Sequence, residues 1–183
     1  MPEPEPDYTA PVAFALRLSH AITSLNKWLF IAVSSVTLIM VLLTTLIVIL
    51  RYGFDAGWIA MQESVMYLHA AVFTIGIAYT WRTDGHVRVD VFYRKWSERK
   101  QVWVNLLGNI ALLAPVCIVI ISFSWAYVTE SWGLLEASQE AGGLPLVFLL
   151  KSLIPLCAGL LLLQGVADSL RHIHFLRTAH KDD

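Results

Sequence analysis

WLFIAVSSVTLIMVLLTTLIVIL, residues 28–50, runs between Lys27 and Arg51 without one ionisable side chain. A helix needs about 20 apolar residues to cross about 30 Å of hydrocarbon, and this stretch is long enough. The whole chain agrees with it. Of 183 residues, 57% are hydrophobic and 15% charged, against about 45–50% and about 25% in a soluble domain. There are too few charged residues to cover the surface of a water-soluble fold of this size. The formal net charge of −1 supplies no basic field for nucleic acid, and that class is set aside.

Working outward, three further charge-poor windows follow. One lies between Glu63 and Arg82 and includes His69; a second lies between Lys100 and Glu130; the third is interrupted by Lys151 and ends before Asp168. A fourth helix starting at Pro145, a favoured first-turn position, runs to about Leu170 and carries Lys151 inside it. The expectation is an all-α integral membrane protein with four spans, at about 28–50, 62–82, 103–128 and 145–170. Residues 1–10, rich in Pro and acids, read as a disordered cytoplasmic tail, and 171–183 as a second tail. Between the first tail and the first span, Ala15, Leu18, Ile22, Leu25 and Leu29 recur at helical spacing. That pattern over 11–27 suits an amphipathic helix lying on the inner leaflet; the alternative is a plain extension of the first helix into water.

Cytoplasmic loops carry the excess of Lys and Arg. With the N-terminus inside, Arg17, Lys27, Arg82, Arg88, Arg94, Lys95, Arg99, Lys100, Arg171, Arg177 and Lys181 are cytoplasmic, which is 11 of the 13 basic residues. The outer loops instead hold Asp55, Glu63, Glu130, Glu136 and Glu140. An N-in, C-in topology follows, with both termini cytoplasmic. The start Met1-Pro-Glu-Pro-Glu-Pro-Asp has no basic n-region, so the first span is expected to stay as an anchor. Cys117 and Cys157 fall inside spans and read as small apolar residues.

Ionisable groups inside a span carry functional suspicion. Lys151 is the clearest, held either by an acid such as Glu63, Glu130 or a partner subunit's group, or snorkelling to headgroups. Pro155, four residues on, is expected to kink the helix and free the carbonyl of Lys151; Pro115 should do the same at Ala111. Asn105 and Asn109 share a face and can bond across to a neighbouring helix. Ala70, Thr74 and Ala78 form a small-residue stripe. Only His69 lies within a span, so paired haem ligands on facing helices are lacking. No Ser/His/Asp set, phosphate loop, metal cluster or paired buried carboxylates appear, and the chain reads as no enzyme.

The order of these features carries a resemblance. An apolar span closing in Arg51-Tyr52, a short outer loop to Glu63, a small-residue helix through Gly76, then Arg82 and Gly85-His86-Val87-Arg88-Val89-Asp90 resemble the small (DctQ-like) membrane subunit of tripartite ATP-independent periplasmic (TRAP) transporters. The segment Glu136-Ala-Ser-Gln-Glu140-Ala-Gly-Gly-Leu-Pro145, with Lys151-Ser-Leu-Ile-Pro155 after it, looks like one branch of that family. The resemblance covers about residues 28–170. Gln62 departs from it, standing where many relatives carry a second acid beside the one at Glu63.

The resemblance implies a non-catalytic subunit of the bacterial inner membrane that packs against the scaffold of a large permease subunit. It also implies a part in docking a periplasmic substrate-binding protein that delivers an organic acid. No cofactor belongs to this chain, sodium coupling being expected in the large subunit; the remaining partners are membrane lipids. Interface candidates are Arg51 and Glu63, as an ion pair closing the first two helices, Arg82, His86 and Asp90 at the cytoplasmic turn, and Lys151 with Pro155. Glu136 and Glu140 are candidates for docking the binding protein. Two other readings stay open: a stand-alone homo-oligomeric small transporter, and a membrane anchor of a redox complex.

Overall fold

The structure, a computed structural model, describes residues 10–83, 85, 91 and 93–178. The chain is built from four long helices: α1 (Ala10–Gly53), α2 (Ile59–Arg82), α3 (Glu98–Leu134) and α4 (Val147–Thr178). A short 3-10 turn, Tyr93–Lys95, precedes α3. All four helices are long and apolar enough to cross a membrane, as the charge-free windows require. Among the described residues there is no strand.

The helices outrun the windows that betray them. α1 has 44 residues, about 66 Å at about 1.5 Å per residue, and residues 10–27 continue the first span without a break. No Gly or Pro stands between Pro11 and Gly53, so nothing in the sequence interrupts the backbone ladder. The segment expected to turn into the first span is thus collinear with it. It buries two polar residues, Ser19 and Asn26, against α4, while Arg17, His20 and Lys27 stay exposed and Leu18 is 41% and Leu25 50% exposed. α4 begins at Val147 rather than Pro145, because the N–H of Val147 is held by the carbonyl of Glu136 at 3.0 Å and helical bonding starts from the Leu146 carbonyl. The helix then passes through Pro155.

α3 contains a π turn over Asn109–Leu113, in which the N–H of Ala114 bonds back to the Asn109 carbonyl. Pro115 follows at once. It has no N–H for the Ala111 carbonyl, and the wider turn lies where the sequence expects that carbonyl to be freed.

α4 is the hub. It packs on α1, α2 and α3, α1 packs closely on α2, and among the four described helices α3 has close neighbours only in α4. The bundle is therefore a three-helix cluster with α3 attached to one side. Between α1 and α2 the Phe30 and Tyr79 rings stack at 4.4 Å, beside the buried Gly76 and Ala78. The small-residue stripe splits: Ala78 is fully buried, whereas Ala70 and Thr74 line an open groove.

Ser19 donates to the Ala167 carbonyl, Asn26 to Gln164, and Arg171 to Thr23. These pairs run antiparallel, so the chain's two terminal helices start and finish at one end of the bundle. That end also carries Arg82, Arg94, Lys95, Arg99, Lys100 and Arg177, and we call it the basic end. The opposite, acidic end carries Asp55, Glu63, Glu130, Glu136 and Glu140.

Candidate functional site

The densest polar construction lies at the acidic end, where α3 gives way to α4. α3 stops at Leu135, whose left-handed backbone (φ 46°) is costly for a branched side chain. The turn is closed by the Glu136 N–H on the Ser131 carbonyl at 3.0 Å. The loop then folds on itself: the Ser138 N–H bonds the Leu144 carbonyl at 2.9 Å, and the Gly143 N–H the Glu140 carbonyl at 3.0 Å. Gly142 takes φ 81°, a conformation glycine adopts without strain.

Two carboxylates fasten this loop. Glu63, in the first turns of α2, accepts the Ser138 hydroxyl at 2.5 Å and the Leu144 N–H at 2.6 Å. Gly143 is required at that crossing, because a Cβ there would lie 2.4 Å from Ser138 Oγ and 2.9 Å from Glu63 Oε1. Glu136 accepts the Ser131 hydroxyl at 2.6 Å and the Lys151 ammonium at 2.5 Å. Those two hydrogen bonds, that of Lys151 first, hold the Glu136 carboxyl below the ordinary carboxylate range. Lys151 also sits over the Tyr127 ring, 3.9 Å from its centre, a cation–π contact. Alongside, Trp132 donates to Ser152 at 2.8 Å and meets Phe148 edge-on at 4.7 Å. The Tyr67 hydroxyl, one turn along α2 from Glu63, is buried without a hydrogen-bond partner among the described residues.

Of the residues singled out from the sequence, Lys151 is paired, and its acid is Glu136 rather than Glu63 or Glu130. Arg51 is exposed in the last turn of α1 and makes no ion pair with Glu63, whose oxygens are taken up by the loop. Glu136 is drawn inward, while Glu140 stays exposed with its N–H on Ser138 Oγ. Pro155 lies within α4, and Arg82 is exposed in the last turn of α2. His86 and Asp90, with Arg88, lie outside the described residues.

The basic end holds a second polar seam that the sequence reading missed. Asn26 donates to Gln164 at 2.8 Å, Gln164 to Asp168 at 3.3 Å, and Arg171 bridges Asp168 and Thr23. Ser19 donates to the Ala167 carbonyl at 2.7 Å. Ser19, Asn26 and Gln164 are at most 1% exposed. The available signal was Gln164 itself, one amide in the run Leu160-Leu-Leu-Leu-Gln164. Asn109 does reach across as expected, to the Gly165 carbonyl and Ser169 at 3.4 Å each, but Asn105 bonds Tyr93 in the preceding turn.

Within each construction most polar groups are spent on one another, although among the described residues the buried Asn26 Oδ1 finds no hydrogen-bond partner. Among the described residues, no three His, Cys, Asp or Glu side chains gather as a metal site. Cys117 and Cys157 are free thiols.

The family described as "Tripartite ATP-independent periplasmic transporters, DctQ component" matches residues 40–175. A curated protein of Haemophilus influenzae, named as a TRAP transporter small permease protein, is 32% identical over 108 residues. That match covers 59% of this chain and 65% of the relative's length, just under two thirds. No solved structure matches.

Proposed function

The chain belongs to the DctQ component family of tripartite ATP-independent periplasmic transporters, a family of transporter components and not of enzymes, and on that premise we propose how it serves such a transporter. It is the non-transporting membrane subunit, packed beside a large permease subunit that carries the substrate and sodium sites. The observation that carries this reading is how the polar groups are spent. A secondary carrier needs broken helices and a polar site near the midplane. Here the polar groups gather towards the two ends and are used to tie helices and loop together.

In this reading the acidic end faces the periplasm and the basic end the cytoplasm of a bacterial inner membrane, following the distribution of Lys and Arg. The loop 136–146 belongs to the surface on which a periplasmic binding protein, loaded with an organic acid, docks. We assign that contact to Glu140, which is exposed, and assign Glu136 to holding the loop, since its carboxylate is already engaged by Lys151 and Ser131.

Affinity purification of the chain from its native membrane tests the assignment. A large multi-span protein should come with it, and uptake lost on deletion of this chain should return with its gene. Recovery of a homo-oligomer alone, or uptake unaffected by the deletion, refutes the reading. For the loop, Glu140→Gln should leave the membrane complex intact and weaken capture of the loaded binding protein; unchanged capture would remove Glu140 from the docking surface.

A further inference from the structure

α2 shows a face that the other described residues do not cover. Ile59, Gln62, Met66, His69 and Phe73 recur every three or four residues and are all exposed, Met66 by 50% and Phe73 by 69%. This is the spacing with which one helix packs along another. Most exposed faces of the bundle are simply apolar, as on α1 at Leu38, Val41 and Leu42, and lipid tails suit them. The α2 face is different because of His69. Of the four charge-free windows, only this one contains a histidine. His69 lies about 15 Å from the Ile59 end of α2 and about 20 Å from Arg82, near the middle of a bilayer. Its ring lies over Phe73, with centres 6.5 Å apart, and no hydrogen bond to the imidazole is made among the described residues.

A second observation adjoins it. α2 and α3 hardly touch, and between them, floored by α4, runs a groove of about 640 Å³. Phe73 and Thr74 form one wall, Ile120 and Tyr127 the other, and Leu153 and Cys157 lie on the floor. The groove and the exposed stripe meet at Phe73. Together they make one continuous surface with a ridge and a furrow, the two elements of helix packing.

We propose that this surface receives a transmembrane helix of the large permease subunit, and that the helix presents a hydrogen-bonding side chain to His69. Lipid tails hold neither donor nor acceptor for an imidazole, whereas polar side chains on membrane helices face protein. The proposal rests on the subunit reading above and adds to it the face, the depth and the chemistry of the contact.

The test uses the whole transporter in its native membrane, with a photo-cross-linking amino acid placed at Met66 or Phe73 and, as controls, at Leu38 or Leu42 of α1. Adducts with the large subunit should form from α2 and not from α1. In parallel, His69→Leu should lower the large subunit recovered with this chain by about three- to tenfold, and His69→Gln, which keeps a hydrogen-bonding group, should restore most of it. Equal amounts of each variant in the membrane fraction show that insertion is intact. If the large subunit co-purifies but cross-links from α1 instead, the subunit reading stands and this face is wrong. Adducts between two copies of this chain, or no protein adduct from α2, overturn it in favour of self-association or lipid. If no large subunit co-purifies with the unaltered chain, both readings fall.

Discussion

The two ends of the bundle are held by different means. At the basic end, two helices meet directly, chiefly through amides and hydroxyls, with the Arg171–Asp168 pair at the edge of the seam: Ser19, Asn26 and Gln164 are sealed between α1 and α4. At the acidic end, a loop is strapped to α2 and α4 by two carboxylates, and water reaches the strap, the Glu136 side chain being 31% exposed. A neutral pair sealed between helices is insensitive to pH and salt and costly to break from one side only. A carboxylate strap near the surface is screened and titratable. The difference suits an invariant base at one end and an adjustable surface at the other.

The comparison breaks first, and most visibly, at Gln164. Gln164→Ala leaves the buried Asn26 amide without its partner and should cost about 2–3 kcal/mol, read as a lower unfolding temperature in detergent. Pairing Gln164→Leu with Asn26→Leu should cost less than the sum of the two single changes, because no orphaned amide then remains; strict additivity would show that the bond does not contribute. At the acidic end, Gly143→Ala forces a Cβ into Ser138 and Glu63 and should cost about 1–2 kcal/mol. It should also speed proteolysis within 136–146 while leaving the basic end protected from hydrogen exchange. Ser19→Ala should cost about 0.5–1 kcal/mol.

The smallest effect at neutral pH sharpens the contrast most. The folded carboxyl of Glu136 titrates below its ordinary value of 4.5. Its contribution to stability is therefore complete above about pH 4.5 and is lost as pH falls through the folded value. Glu136→Gln should flatten that part of the pH–stability curve, whereas Asn26→Leu, whose bond is to the neutral Gln164 amide, should displace the whole curve without changing its slope there. An unchanged slope in Glu136→Gln would show that Glu136 is not the carboxylate that titrates there.

These contrasts also mark what a sequence can carry. The four spans are legible because hydrocarbon demands long apolar runs free of charge, and Lys27, Arg51, Arg82 and Lys100 punctuate them. The helix ends are not, since hydropathy reports the solvent around a helix and not its hydrogen bonding. α1 continues back to Ala10 and α4 on to Thr178 through segments of mixed polarity that, after Pro11, hold no Gly or Pro to stop a helix. Lys151 is conspicuous as a buried charge, yet its partner depends on the left-handed turn at Leu135, where no glycine or asparagine announces it. Asn26 and Gln164 stand 138 residues apart, and an amide has no periodic mate to point to. Asn109 is readable because a second asparagine, Asn105, stands four residues away on the same face, although Asn105 bonds Tyr93 instead.

α1 has one more property, and it is mechanical. Its 44 residues form a rod with no joint, pinned to α4 at Ser19 and Asn26 and joined to α2 at its far tip by the short link Phe54–Trp58. Such a beam does not bend at a chosen point. A push that tilts its Arg51 tip on one side of the bilayer must tilt its tail on the other, with the amide pins as the fulcrum.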